Sequence, residues 1–363
     1  MSSFWNNRIS ISIFGEAQGP AIGVTVDNLP SGEYIDTEAL AAFMARRIPE
    51  KYVTPELNDN AMPHIMSGIY NDRTTGTPLC AFIQNRVRKA PQHAELDRLA
   101  RPGHADYTGA VRYKGFNDVR EDGHFSERLT APLCFAGAIC GQILERRGIY
   151  TGAHIRQIHN TKDNPFDPVN ITRDAVLSVR NKAFPVINDR KGWIMEEDIE
   201  KARNAGESLG GIIECAVVNV PAGIGSPIFD GLKNNIAQLV FGIPGVNGLE
   251  FGSGFTSAKM VGSQNNDPFY LDEHGHVLTK TNNHGGILGG ISSGMPITLN
   301  VAVNPSPAIA KEQSAVDLHD MSEGTIAGIE NHDPCLVPRL VPCVEAAVNI
   351  AILSHMMDYP NFC

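Results

Sequence analysis

The run TAPLCFAGAICGQILERRG, residues 130–148, places the tightest limit on what this chain can build. It is apolar on nearly every face until Glu145, Arg146 and Arg147, and Gly148 marks a stop, so it reads as a helix buried on most sides. VPRLVPCVEAAVNIAILSHMMD (337–358), entered through prolines, reads as a second core-facing helix. The 363 residues, 42% of them hydrophobic, can fill a large core. No internal repeat, low-complexity linker or composition break divides them. One intertwined α+β domain over 1–363 is therefore expected rather than two separate ones.

The remaining elements follow from local pattern. DTEALAAFMARRI (36–48) has an Asp/Thr start and a basic end before Pro49, an amphipathic helix closing on Arg46 and Arg47. EEDIEKARNAGE (196–207) reads as a polar surface helix, and SLGGIIECAVVNVPAG (208–223) as a buried strand. RISISIFGEAQG (8–19) alternates like a strand and then breaks into a turn bracketed by Gly15 and Gly19. Two readings of that turn stand side by side: a hairpin corner with a solvated Glu16, or a place where backbone approaches a ligand closely. Long glycine-rich stretches occupy 243–255 and 282–297.

A net charge of −10 argues against a nucleic-acid or anionic-membrane partner, so any anionic ligand must be caught locally. No uninterrupted apolar run of membrane-spanning length is read, and the first twenty residues alternate instead of forming a signal-peptide block. A cytoplasmic location is expected. The seven cysteines (80, 134, 140, 215, 335, 343 and 363) are scattered, mostly in apolar stretches and without a CxxC pair, and read as reduced core residues.

Four segments carry side chains suited to chemistry. RPGHADYT (101–108) puts a guanidinium, an imidazole and a carboxylate in one turn, and His104 fits a proton donor or a hydrogen-bonded turn histidine equally. GFNDVREDGHFSERLTAP (115–132) brings Ser126 and Arg128 to a helix start, where they suit an anion site or an ordinary cap. GGILGGISSG suits backbone wrapped around a planar or phosphorylated ligand, but it is neither GxGxxG nor a P-loop. NHDPCLVPR (331–339) places His332 and Asp333 before a helix that carries Arg339, with too few ligands for a metal.

In order and wording these segments resemble the chorismate synthase family. The match runs through FGE-Q-GPAIGV (14–24), MARR-P (44–49), SGIYNDRTTGTPL (67–79), RPGHADYT, GFNDVR, GHFS-RLTAP (123–132), G-EFGSGF (248–255), NN-GGILGGISSGMPI (282–297) and HDPC-VPR-VP-VEA (332–346). The resemblance implies a single α+β domain with helices sandwiched between antiparallel sheets, assembled as a homotetramer. It implies a lyase that converts the anionic 5-enolpyruvylshikimate 3-phosphate to chorismate with reduced FMN, and NADPH if the flavin is reduced in situ. Carried over by motif, His104, Gln18, Asp333 and Arg339 take the catalytic positions, and Arg46, Arg47, Arg101 and Arg128 bind substrate. His124, Phe125, Ser126, Gly289, Asn304, Ser306 and Asn331 take the cofactor positions.

The chain departs from the family where charge matters. Gln18 stands for the histidine of GESHG, and an amide cannot transfer a proton near neutral pH. Asn304 and Asn331 stand where a lysine and an arginine meet the flavin phosphate, and Glu121 and Asp122 where glycines are common. Each lost charge-assisted contact costs roughly 1.5–3 kcal/mol, so weak flavin binding is expected. The four retained arginines, 47, 101, 128 and 339, are expected to converge with His104 on one cleft. The alternative is a paralogue that keeps the scaffold with an impaired or repurposed site.

Overall fold

The computed structural model describes residues 3–48, 62–85, 98–329 and 332–359. Asn331 and Cys363 lie outside the described residues.

Two five-stranded antiparallel sheets frame the molecule. The first orders its strands β1 (Phe4–Asn6), β2 (Ser10–Gly15), β3 (Ala21–Asp27), β7 (Leu79–Gln84) and β4 (His64–Ser67), with the ribbon β5 (Ile69–Tyr70) and β6 (Arg73–Thr74) between the last two in sequence. The second orders β10 (Thr161–Lys162), β9 (Tyr150–Ile158), β11 (Gly211–Val218), β17 (Ile297–Val303) and β12 (Val246–Phe251). Strand β8 (Leu99–Ala100) pairs with β18 (Gln313–Asp317) and β19 (Ser322–Ile326). Short ribbons join β13 (Phe269–Leu271) to β14 (Val277–Thr279) and β15 (Ile287–Leu288) to β16 (Ile291–Ser292).

Between the sheets lie α3 (Thr130–Arg146) and α8 (Val337–Met356), flanked by α1 (Thr37–Ala45) and α6 (Leu232–Val240). Helix α3 packs on β3 and β7, α8 on β9 and β11, and the two helices pack on each other, so one apolar layer serves both sheets. A side chain at Gly137 would place its Cβ 2.3 Å from the Ala346 Cα, so only glycine lets α3 and α8 approach this closely. By length and composition α8 could cross a bilayer, which corrects the expectation that no such stretch exists, but all of it is buried here. Helices α4 (Arg173–Arg180) and α5 (Asp189–Asn204) cover the second sheet, and α2 (Asp106–Tyr113) grows directly out of the RPGHAD turn.

The sandwich agrees with the expected architecture. Helix α5 starts seven residues earlier than its sequence pattern suggests, because the Asn188 side chain accepts from the Arg190 and Lys191 N–H groups and caps it there. Helix α4, capped by Thr172, is an addition. The glycine-rich 243–255 stretch contains β12, an edge strand whose register shifts at Gly248. Cys134, Cys140, Cys215, Cys335 and Cys343 are buried free thiols, and Cys80 is half-buried and free.

Candidate active site

One large cavity, about 1170 Å³, opens where six segments of the described chain meet. Its walls come from the β2–β3 turn, the RPGHAD turn with the start of α2, the 3₁₀ turns at 117–128, and the loops at 241–245, 304–308 and 332–336. The volume exceeds the roughly 300–1,000 Å³ of an ordinary small-molecule site.

The β2–β3 turn answers to this cavity. Asn85, at the end of β7, donates through Nδ2 to the carbonyls of Glu16 (2.9 Å) and Gly19 (2.7 Å). Its Oδ1 accepts from Arg128 Nη2 at 3.3 Å, while Arg128 Nη1 donates to the Ala17 carbonyl at 3.1 Å. The turn is therefore stapled to a cleft arginine, and Glu16 lines the cavity instead of standing as a bare surface corner. Gly15 has φ +99°, and Gly19 has no positive φ.

His104 Nδ1 lies 3.1 Å from the Pro102 carbonyl and must donate to it, leaving Nε2 as the atom available to a ligand. His124 is committed at both nitrogens: Nδ1 donates to the Gly15 carbonyl at 2.6 Å, and Nε2 accepts from the Ser3 hydroxyl. Ser126 Oγ accepts from the Arg128 N–H and caps the Glu127–Leu129 turn, and Phe125 lines the wall beside it. Asn304 and Ser306 line the opposite wall.

Each described arginine at the cleft is met by carboxylates. Arg101 donates to both oxygens of Asp106 (2.8 and 2.7 Å) and to Asp122. Burial opposes its charge, but the two acids outweigh that and raise its pKa. Asp106 shows the reverse balance: burial pushes it up, and hydrogen bonds from Arg101 bring it below its ordinary value. Arg339, just beneath the cleft on α8, contacts Glu127 at 2.6 Å and Asp333 at 3.1 Å. Asp333 is held above the ordinary carboxylate range by burial, with the Glu127 charge adding to it and Arg339 opposing. Among the described residues, seven carboxylates and two arginines line the cavity.

The cavity brings together His104, Arg101, Arg128, His124, Phe125, Ser126, Asn304, Ser306 and Asp333, with Arg339 directly behind. It leaves four expected site residues elsewhere, so the expected convergence of Arg47 with the other arginines needs correcting. Arg46 makes a bidentate ion pair with Glu345 inside the helical layer. Arg47 is buried and donates to Thr130 Oγ1 at 3.3 Å, because α1 ends at Ala45 and turns both arginines toward α3 and α8. Gly289 sits at the β15–β16 turn, where a Cβ would meet nothing within 4 Å. Gln18 lies within the turn but is not among the residues lining the cavity, its Nε2 buried with no hydrogen-bond partner among the described residues.

Sequence reasoning noted the Asp106 carboxylate without assigning it to Arg101, and passed over Glu127 and the start of the 241–245 loop. The signal for Glu127 was the SER triplet before α3, where a carboxylate sits beside two residues already singled out. The 241–245 loop overlaps the glycine-rich 243–255 stretch, but nothing local ties it to the cleft. As for cofactors, the cavity fits a flavin ring by size. A flavin phosphate would meet the Asn304 amide and the Ser306 hydroxyl, no lysine lines the described walls, and both arginines already have anions. The residues fit the ring and not the dianionic phosphate.

Comparison with known proteins gives one consistent result. A family model described as chorismate synthase matches residues 9–357. A chorismate synthase of Thermococcus kodakarensis is 39% identical over 349 residues, covering 96% of each chain. That of Korarchaeum cryptofilum is 39% identical with 97% coverage of each, and that of Lancefieldella parvula 37% identical, covering 99% of this chain and 98% of its own. A solved structure titled "Crystal Structure of Chorismate Synthase" superposes with a TM-score of 0.76 at 24% identity, covering 96% of this chain and 92% of that one, a likeness of fold.

Proposed function

The chain belongs to the chorismate synthase family, and from that membership we propose that its acidic cleft carries the family's lyase reaction. Phosphate leaves 5-enolpyruvylshikimate 3-phosphate, a hydrogen leaves another ring carbon, and chorismate results. One observation supports this siting above the rest: the segments around Arg101, Arg128, Ser306 and Asp333, remote in sequence, share one cavity.

In this reading Arg101 and Arg128 receive the carboxylates and phosphate of the substrate through charge-assisted hydrogen bonds. Each already has a carboxylate neighbour, so substrate binding is an exchange of anions. His104, fixed by the Pro102 carbonyl, presents Nε2; a proton held there passes to the leaving phosphate oxygen as the carbon–oxygen bond breaks. Asp333 has its proton affinity raised by burial and by Glu127, which suits it to take up the ring hydrogen as a proton. The electron pair of that carbon–hydrogen bond moves into the ring as the new double bond forms. Reduced FMN, the family's cofactor, binds this cleft weakly, because among the described residues its phosphate meets the Asn304 amide and the Ser306 hydroxyl and no lysine. A homotetramer is the proposed assembly, supported by exposed Phe269, Leu271 and Val277 on the β13–β14 ribbon. Its test is sedimentation of the purified chain.

The test of the reaction is to supply the purified chain with substrate and excess reduced FMN and to follow chorismate and phosphate together. His104→Ala is expected to lower turnover roughly 10²- to 10⁴-fold while substrate still binds. No product from the unmodified chain at saturating FMN sinks the lyase reading. The excess of carboxylates in the cleft favours a second reading, a family member that keeps the scaffold with an impaired site, and that result would select it.

A further inference from the structure

The two arginines of the cleft receive anions from a single turn of this same chain. Asp122 accepts from Arg101 Nη2, and Glu121 Oε2 stands 3.7 Å from Arg128 Nη1. These acids are consecutive, and both adopt positive φ, 47° for Glu121 and 66° for Asp122. An L side chain pays a steric cost in that region. The turn cannot relax easily, because it is anchored on both sides. Upstream, Asp118 holds the Arg120 N–H and guanidinium. Downstream, the Ala17 N–H donates to the Gly123 carbonyl at 3.0 Å, and His124 holds the Gly15 carbonyl. A side chain at Gly123 would place its Cβ 1.9 Å from the Asp118 carbonyl oxygen, so the chain must pass here as glycine.

Burial does not explain the pair, since side-chain exposure is 42% for Glu121 and 36% for Asp122. Nor do the arginines need these acids to stay in place. Arg101 keeps Asp106 without Asp122, and Arg128 keeps the Ala17 carbonyl and Asn85 without Glu121.

We propose that Glu121 and Asp122 are an internal counter-anion, standing where the anionic groups of a bound ligand go and setting the charge a ligand must carry to enter. A singly charged ligand displaces one carboxylate and gains one contact in return. A phosphorylated dicarboxylate displaces both and brings charge to spare. The pair selects for multiply charged ligands and lowers the affinity of the cleft for small anions. It determines specificity and takes no part in bond making. The substrate class rests on the lyase reading above; the counter-anion itself rests on the geometry of the turn.

The test measures binding of inorganic phosphate to the full chain by calorimetry, comparing the unmodified protein with the E121Q/D122N and E121G/D122G double variants. The neutral isosteric pair is expected to bind phosphate roughly three- to tenfold more tightly, a range set by a partly exposed charge-assisted contact, with the gain shrinking as salt is raised. The glycine pair, free to hold positive φ, is expected to gain similarly and to melt no lower than the unmodified chain. Unchanged or weaker phosphate binding by folded E121Q/D122N overturns the proposal. Chorismate formation by the unmodified chain is followed separately. A phosphate gain without any chorismate supports the counter-anion and removes the lyase reading, and chorismate without a phosphate gain does the opposite.

Discussion

Replacing Glu345 by glutamine tests whether Arg46 holds the helical layer together or serves the substrate. Glu345 is 1% exposed and sits at the centre of that layer. Its carboxylate accepts from Arg46 Nη1 at 2.6 Å, from Arg46 Nη2 at 2.8 Å and from the Ala153 N–H at 2.8 Å, so one side chain ties the end of α1 to α8 and β9. Burial works against the Arg46 charge, and Glu345 more than restores it, raising its pKa. Glutamine keeps the shape and one acceptor but leaves a guanidinium, 18% exposed, without its counter-charge. Removing one partner of such a pair costs about 3–5 kcal/mol, and the partial exposure of Arg46 places this case near the lower end. At roughly 2.1 cal/mol/K per residue, 3 kcal/mol lowers the melting temperature of a chain this long by about 4 °C. The assay is urea and thermal unfolding of Glu345→Gln, Arg46→Met and the double variant Arg46→Met with Glu345→Leu. The two single variants are expected to lose stability and the apolar double to regain most of it, with KM for substrate unchanged in folded Arg46→Met. If Arg46→Met melts like the unmodified chain but raises KM severalfold, the reasoning fails and Arg46 acts on the substrate.

Three further outcomes are expected. Asn304→Lys combined with Asn331→Arg should tighten FMN binding roughly tenfold or more by fluorescence titration. Gln18→His should raise turnover only on that background, and tight FMN binding by the unmodified chain would show the lost cations to be dispensable. Asp267 is pushed up by burial, but hydrogen bonds from Thr281, Asn283 and His284 outweigh this and bring it from 3.8 to about 2. A depressed carboxylate contributes stability that is present above pH 4 and lost as pH falls toward 2. Asp267→Asn should therefore cost about 2 kcal/mol at neutral pH, and the gap in urea midpoints should close by pH 2. Finally, limited proteolysis should release no two separately folding halves. The Arg8 and Ile9 N–H groups both donate to Ser354 Oγ, so the first strands and the last helix hold one another.

The sequence by itself determined the elements whose signal lies within a few residues. Helix α3 was legible because an all-apolar run over four turns has no stable place except inside a core. The α+β class followed from such helices alternating with β-branched runs, and the wording of nine motifs points to the family without any tertiary information. It also marked the residues His104, Ser126, Arg128 and Asp333 that meet at the cleft, because they stand in short segments dense in chemistry. What sequence left open was the assignment of partners. Arg46 and Arg47 stand in the MARR-P motif that the resemblance assigns to substrate, yet they turn into the core, and the decisive neighbour of Arg46 lies 299 residues away. Glu121 and Asp122 read as surplus negative charge, and only the folded chain sets them against Arg101 and Arg128. The physical reason is range. Periodicity and capping are settled by contacts within a turn or two of chain, whereas a guanidinium is assigned to a carboxylate or to a ligand by whichever anion the tertiary packing brings within about 4 Å.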